Sequence, residues 1–185
     1  TTKKSNPKLF ETYINACIKE IKSYKKESLE ITSIYFGGGT PSVLPIDLIK
    51  KIISAIKENF YLIAKPEISF EMNPDDVNSN YIKQLVKLGI NRISLGVQTF
   101  NQNECSQLGR SHCVSTSHKA LEILNSEINN FNIDLMFALP GSSIHTLEKS
   151  LESTLKYNPK HISCYSLTIE PNTPFFKNKV KKSNS

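Results

Sequence analysis

Three consecutive glycines at the end of a predicted strand are the residues of this chain best suited to hold a ligand. The run 34–42, IYFGGGTPS, carries a short apolar strand into Gly37, Gly38 and Gly39. Glycines let a ligand lie directly against backbone N–H and C=O groups and permit a positive φ, and Pro41 fixes the direction in which the chain leaves. A Gly-rich turn after a strand is on its own a weak signal, because a plain tight turn has the same composition.

Two carboxylates interrupt strands that are otherwise apolar. Glu71 closes one such strand, where it needs a cationic or hydroxyl partner to offset its desolvation. The alternative is an N-cap or surface role ahead of Asn73. Asp134 lies within the apolar stretch 131–136, FNIDLM. We expect Asp134 either to face a ligand or cluster, or to pair with a helix N-terminus.

An amide and a guanidinium complete the set of candidate polar groups. Gln98 ends the strand RISLGVQ, in which Gly96 indicates a close approach of backbones. Arg110 is one of only two arginines against 21 lysines, so we expect it to recognise a carboxylate. The other arginine, Arg92, opens a strand and is expected in a structural ion pair. His112 follows Arg110 closely and is either functional or a surface loop residue.

Glycine backbone, carboxylates, Gln and Arg together suit a zwitterionic ligand that carries a ribose. An ammonium group needs carbonyl oxygens, a carboxylate needs Arg, and ribose hydroxyls suit Glu or Gln. The residue types alone lead no further than this class of ligand.

The elements that must position these groups are five strands alternating with helices. Apolar periodicity predicts helices over 8–24, 49–56, 81–88, 117–124 and 147–155, and strands that begin near 31, 67, 92, 131 and 161. Gly89 stands where a helix C-terminal glycine belongs. The strand starts are 25 to 39 residues apart, which is typical of right-handed βα units with parallel strands.

Two α/β architectures fit this order of elements, a doubly wound open sheet and a whole or partial (β/α) barrel. Polar groups follow all five predicted strands, which is the layout of a barrel mouth. An open sheet concentrates its ligand groups at one switch point. The sequence therefore favours the barrel.

Composition describes a globular chain with basic ends. The 185 residues carry a net charge of +6, yet residues 27–170 hold twelve basic and fifteen acidic side chains. Nucleic-acid binders place positive charge on their folded surface, so we expect no nucleic-acid partner. No apolar stretch is long enough to cross a bilayer. The chain begins without Met and ends in Lys- and Ser-rich stretches, so we expect a segment of a longer polypeptide.

The four cysteines are scattered and predict no metal site. Cys17 and Cys164 fall at apolar positions of a helix and a strand and are expected to be buried. Cys105 and Cys113 flank a loop. Four dispersed thiols suit a reducing compartment, and we expect a cytoplasmic location, with an organelle as the alternative.

The motifs resemble those of the radical S-adenosylmethionine (SAM) family. More narrowly, they are similar to the oxygen-independent coproporphyrinogen III oxidase family and its haem-chaperone, HemW-like branch. The resemblance is carried by YFGGGTPS (35–42), EMNP (71–74), NRISLGVQTF (91–100), LGRSH (108–112), NIDL (132–135), LPG (139–141), HIS (161–163) and LTIEPNT (167–173).

This resemblance implies a partial (β/α) barrel of radical SAM type. Residues 1–174 would form an incomplete radical SAM core with strands two to six, and 175–185 a basic tail leading to an absent C-terminal region. The first strand and the cluster loop, with its CxxxCxxC triad, would precede Thr1. The cofactors implied are SAM and a [4Fe-4S] cluster whose one-electron reduction yields a 5′-deoxyadenosyl radical. The implied SAM contacts are Gly38, Gly39, Thr40, Glu71, Gln98, Arg110, Asp134 and Thr168; no catalytic residue or metal ligand is assigned.

Three functions remain open at this point. Asn73-Pro74, where the decarboxylating oxidase has Asp-Pro, favours a haem chaperone that binds and transfers haem. The first alternative is oxidative decarboxylation of coproporphyrinogen III to protoporphyrinogen IX, and the second is a cluster-free binding or scaffold domain. Whether the protein is an enzyme stays open. The implied partners are haem or a porphyrin, an electron donor and a haem-acceptor protein.

Overall fold

The computed structural model describes residues 7–24, 30–110 and 114–183. The helices are α1 (Pro7–Ser23), α2 (Ile46–Asn59), α3 (Ser79–Lys87), α4 (Gln102–Gln107), α5 (Val114–Glu127), α6 (Ile144–Leu155) and α7 (Pro174–Lys177). The strands are β1 (Glu30–Phe36), β2 (Tyr61–Met72), β3 (Arg92–Gln98), β4 (Phe131–Phe137) and β5 (His161–Ser166).

The five strands form one parallel sheet in the order β1-β2-β3-β4-β5. Each strand pairs with the one that precedes it in the chain, and the order never reverses. A doubly wound sheet requires a reversal at its switch point. The predicted partial (β/α) barrel is therefore confirmed, and the open-sheet alternative is wrong.

The two faces of the sheet differ sharply in polarity. On the outer face, Phe36, Phe70, Ile93 and Phe131 stand in register across four strands and pack against the helices. On the inner face, the register places Glu71, Ser94, Asn132 and His161 in one row. Parallel strands that are buried on both faces read as continuous apolar runs. The alternation seen here leaves the inner face polar and supports a site on it.

The outer face and the helices share one apolar core. It contains the fully buried residues Ile49 from α2, Ile82 and Leu85 from α3, and Leu121 and Leu124 from α5. Full burial of such a side chain stabilises the fold by about 1.5–3 kcal/mol. This core holds the strand ends, and thus the inner-face side chains, in fixed relative positions.

Helix α3 ends as the sequence predicts. Gly89 has φ +98°, its N–H donates to the Val86 carbonyl at 2.9 Å, and the Ile90 N–H donates to the Leu85 carbonyl at 3.1 Å. These two bonds form a Schellman motif, which needs a left-handed residue at this point. The motif redirects the chain into β3.

The start of β2 differs from the prediction, and the end of β5 determines where Thr168 lies. Strand β2 begins at Tyr61, before Pro66, because the pairing with β1 skips from Leu62 to Glu67 and leaves Pro66 in a bulge. Strand β5 ends at Ser166, so Thr168 lies beyond it.

The cysteines follow the prediction only in part. Cys105 is buried and Cys17 is partly buried, but Cys164 is exposed because it lies in β5, at the edge of the sheet. The prediction that Cys164 is buried is wrong. Cys113 and His112 lie outside the described residues. Among the described helices, none is both long and apolar enough to cross a membrane.

Candidate functional site

A cleft of about 490 Å³, open to solvent, lies at the carboxyl ends of the strands. All five strands or the turns that follow them contribute to it, as expected for a barrel mouth. Its lining residues are Gly39, Thr40, Pro41, Glu71, Met72, Asn73, Ser94, Gly96, Gln98, Asp134 and Tyr165. The lining contains two carboxylates and no basic side chain.

The three glycines after β1 have different structural roles. Gly38 has φ +94°, a conformation that side chains disfavour. A Cβ at Gly37 would stand 2.6 Å from a Tyr35 ring carbon and 3.0 Å from Glu71 Oε1. A Cβ at Gly39 would meet no atom within 4 Å. Gly37 and Gly38 are thus required by the turn itself, whereas Gly39, which lines the cleft, leaves open space at its Cβ position.

Glu71 has the hydroxyl partner that its position demands. The Tyr35 hydroxyl donates to Glu71 Oε1 at 2.8 Å, and Glu71 is half-buried. Burial, and then the hydrogen bond to Glu71, raise the pKa of Tyr35 to about 12. The N-cap alternative for Glu71 is not what the structure shows, because the side chain faces Tyr35 and the cleft.

Asp134 projects into the cleft and is held by neighbouring strands. The Asn132 amide donates to Asp134 Oδ1 at 2.6 Å, and the Ser94 hydroxyl lies 3.2 Å from Oδ2 and 3.4 Å from Oδ1. Asp134 therefore has side-chain donors from β3 and β4. The alternative pairing with a helix N-terminus is not observed.

Gln98 occupies a strained bulge at the end of β3. Its φ is +73°, and the pairing with β4 slips between Leu95 and Gln98. The side chain is 4% exposed, and the Tyr165 hydroxyl donates to its Oε1 at 2.7 Å. A Cβ on Gly96 would stand 3.0 Å from Gln98 Nε2. Bulges of this kind re-aim a side chain, and here the amide folds back over Gly96 at the cleft.

Arg110 and Thr168 lie outside the lining of the cleft. Arg110 donates to Asn73 Oδ1 at 3.3 Å, so it is linked to the cleft through Asn73. Thr168 is exposed beyond the end of β5. Arg92 donates to the Ser69 hydroxyl at 3.3 Å instead of forming the expected ion pair.

The structure brings together five of the eight predicted contacts directly in the lining, namely Gly39, Thr40, Glu71, Gln98 and Asp134. Gly38 adjoins them in the same turn.

Sequence reasoning missed four polar residues that shape the site. These are Tyr35, Ser94, Asn132 and Tyr165, each of which bonds to one of the predicted side chains. The signal that could have found them is the alternation of polar and apolar residues within parallel strands, because it marks one face as uncovered.

Within the described ranges, no group of three or more His, Cys, Asp or Glu side chains could hold a metal ion. Cys17, Cys105 and Cys164 lie in three separate elements, and none of them is part of a disulfide. The described part of the chain thus offers a polar ligand cleft without a metal centre.

Comparison with known proteins identifies relatives over most of the chain. It is 41% identical over 175 residues to the haem chaperone HemW of Buchnera aphidicola subsp. Schizaphis graminum, covering 93% of this chain and 46% of the relative. It is 36% identical over 147 residues to HemW of Escherichia coli, covering 79% and 39%. The chain thus spans less than half the length of these curated relatives.

A solved structure with a similar fold is that of coproporphyrinogen III oxidase (HemN) from Escherichia coli, a radical SAM enzyme. The TM-score is 0.85 at 25% identity, covering 96% of this chain and 42% of that one. The sequence profile of the radical SAM superfamily matches residues 2–154. The chain belongs to the radical SAM superfamily, and the two curated relatives described above are HemW proteins.

Proposed function

We propose that this chain is the SAM-binding part of a HemW-like protein that handles haem. The observation that carries the proposal is the convergence of Gly39, Thr40, Glu71, Gln98 and Asp134 in one cleft at the strand ends. The superfamily match over residues 2–154 supports SAM as the ligand of that cleft.

The chemistry of the cleft suits SAM. SAM carries a positive sulfonium, an ammonium, a carboxylate and a ribose, and the lining supplies two carboxylates with no basic side chain. A negative cleft favours a cationic ligand and raises its local concentration. The open space at Gly39, which a Cβ would fill, lets a ligand approach the backbone closely.

Each predicted contact has a distinct role in this proposal. The backbone at Gly38 and Gly39, together with Thr40, holds the methionine end. Glu71, Gln98 and Asp134 accept from or donate to hydroxyl and amine groups. Arg110 gives up its hydrogen bond to Asn73 and donates to the carboxylate of the ligand instead. Thr168 contributes through its backbone.

The family implies a [4Fe-4S] cluster, but the described residues do not fit one. Cluster ligands are thiolates set close together, whereas the three described cysteines lie in separate elements. When bound together, a cluster and SAM would supply one-electron chemistry. What this chain contributes is binding and orientation of SAM by the side chains at the strand ends.

The similarity to HemW relatives favours haem binding and transfer as the function of the whole protein. An electron donor and a haem-acceptor protein are then its partners, and the cytoplasm or an organelle its location. The similarity of fold to coproporphyrinogen III oxidase supports a second candidate, oxidative decarboxylation of coproporphyrinogen III.

A SAM titration of the full chain tests the proposed cleft. Glu71→Gln removes a carboxylate of the cleft, and Glu67→Gln is the matched control, since Glu67 is four residues earlier on the same face of β2 and outside the cleft. We expect calorimetry to show binding weakened about tenfold by Glu71→Gln and unchanged by Glu67→Gln. Absence of binding by the unaltered chain, or equal losses in both variants, contradicts the proposal.

A second experiment separates the two candidate functions. A polypeptide of the relatives' full length that contains this chain, with a [4Fe-4S] cluster reconstituted, is titrated with haem. In parallel it is incubated anaerobically with coproporphyrinogen III, SAM and a reductant. Stoichiometric haem binding without loss of CO₂ supports the chaperone, whereas release of CO₂ supports the decarboxylase.

A further inference from the structure

A buried asparagine on the inner face connects Asp134 to a histidine on the neighbouring strand. Asn132 is 2% exposed, and its Nδ2 donates to Ser94 Oγ at 2.7 Å and to Asp134 Oδ1 at 2.6 Å. Its Oδ1 accepts from Ser163 Oγ at 3.2 Å and lies 2.6 Å from His161 Nδ1. A primary amide has two donors and two acceptor sites, so the hydrogen-bonding capacity of Asn132 is filled.

The carboxylate determines the direction of every bond in this network. An ionised carboxylate only accepts, so the NH₂ group of Asn132 must face Asp134. The Asn132 oxygen then faces His161, and a bond to it requires a proton on His161 Nδ1. The neutral imidazole of His161 is thus set to the Nδ1–H tautomer, which is the minor form of free histidine in water. The tautomer of a histidine is fixed by the hydrogen bond of one of its nitrogens.

The same bonds distinguish the two oxygens of Asp134. Oδ1 is held by the short bond from Asn132, whereas the partner of Oδ2 within the described part of the chain is Ser94, at 3.2 Å. Because Asp134 lines the cleft, Oδ2 is the oxygen available to a ligand donor. Removal of the network would let the carboxylate rotate and lose this orientation.

We propose that Asn132 and His161 are positioning residues that orient Asp134, so that its Oδ2 accepts a hydrogen bond from SAM. The identity of the donor, a ribose hydroxyl or the ammonium, rests on the proposed function. The network itself does not, because its hydrogen bonds join side chains of this chain alone.

The network predicts that a substitution at Asp134 changes the tautomer of His161, although no hydrogen bond joins these two residues directly. Asp134→Asn supplies a group that donates as well as accepts, so the Asn132 amide is free to reverse. His161 then loses its fixed acceptor. A merely structural role of Asn132 would leave the His161 tautomer unchanged in Asp134→Asn.

Long-range ¹H–¹⁵N NMR of the ¹⁵N-labelled full chain reads this tautomer directly. The sequence has four histidines, so His161→Asn assigns the signal by its loss. We expect a protonated Nδ1 and an unprotonated Nε2 in the unaltered chain. In Asp134→Asn we expect a shift towards the Nε2–H form. A signal of the ordinary Nε2–H form in the unaltered chain, or no change in Asp134→Asn, overturns the proposal.

SAM titrations of the same variants test the effect on the ligand. His161→Ala removes the donor to Asn132 and should weaken SAM binding about three- to tenfold. His161→Asn, which keeps an N–H near the position of Nδ1, should restore most of the affinity. Ser69→Ala is the control, since Ser69 lies on the same face and its hydroxyl bonds, within the described residues, to Glu67 and Arg92.

The NMR measurement tests the hydrogen-bond network, and the SAM titrations test the proposed function, so that one can fail without the other. A chain that shows the coupled tautomer but binds no SAM supports the network and contradicts SAM binding. If the His161→Ala and Asn132→Leu variants both bind SAM as tightly as the unaltered chain, the positioning role is overturned. His161 is exposed at the start of β5, so His161→Ala should fold even if Asn132→Leu does not.

Discussion

Gly39→Ala should separate ligand binding from stability, because the structure leaves room for a side chain at Gly39 and the proposed ligand would lie against the same backbone. A Cβ at Gly39 meets no atom within 4 Å, and Gly39 is not among the glycines with positive φ. Replacing glycine at a compatible conformation stabilises a protein by about 0.4–1 kcal/mol through the unfolded state. The melting temperature should therefore stay level or rise.

The same methyl group should oppose a ligand that lies against the backbone. A ligand pushed away from the turn loses at least one hydrogen bond, which is worth about 0.5–1.5 kcal/mol. SAM binding should therefore weaken by about three- to tenfold, since 1.4 kcal/mol corresponds to a factor of ten. The assay is a calorimetric SAM titration of the full chain, combined with thermal unfolding of the same samples.

Gly89→Ala is the matched control, because it should lower stability and leave SAM affinity unchanged, the reverse of what Gly39→Ala should do. Gly89 has φ +98° and lies at the end of α3, outside the lining of the cleft, and a Cβ there meets only Ile68 Cδ1 at 3.7 Å. Forcing a side chain into the left-handed conformation costs about 1–2 kcal/mol. Gly89→Ala should lose stability and keep SAM affinity. Wild-type affinity in Gly39→Ala, or a joint loss of affinity and stability there, refutes the reasoning.

Three further predictions concern the supports of the site. The pKa of Tyr35 is raised to about 12 in the folded chain, so its contribution to stability is present below pH 10 and is lost as pH rises towards 12. Denaturant unfolding should therefore show a smaller fall in stability over this pH range for Tyr35→Phe than for the unaltered chain. An identical fall in both would refute this prediction. Phe70→Ala should lower the free energy of unfolding by about 3–5 kcal/mol, because Phe70 is fully buried beside Phe36; a urea midpoint close to that of the unaltered chain would contradict this core. Ser143→Ala should lower the free energy of unfolding by about 1 kcal/mol, since Ser143 and Thr146 form a capping box at the start of α6. Thermal unfolding tests this. The neutral control is Ser126→Ala, because the Ser126 hydroxyl bonds to the nearby Ile123 carbonyl of the same helix.

The sequence was sufficient to predict the barrel and most of the cleft, for identifiable physical reasons. Apolar residues at helical and strand spacing located every strand, and glycines marked the end of α3 and the turn after β1. Glu71, Gln98 and Asp134 could be placed because the carboxyl ends of parallel strands share one edge of the sheet.

Pairwise contacts within the site could not be predicted, because they depend on register. The bonds from Tyr35 to Glu71 and from Tyr165 to Gln98 join residues 36 and 67 positions apart. The bulge that gives Gln98 its positive φ has no local sequence signal beyond Gly96. Cys164 was misplaced for a related reason, since spacing alone does not show that β5 is an edge strand.

The most direct test of the central claim is a crystal structure of the full chain with SAM. The account predicts SAM in the cleft, in contact with the backbone at Gly39 and with the carboxylates of Glu71 and Asp134, the latter through Oδ2. SAM bound at another place on the chain, or a cleft that stays empty at saturating SAM, would contradict it.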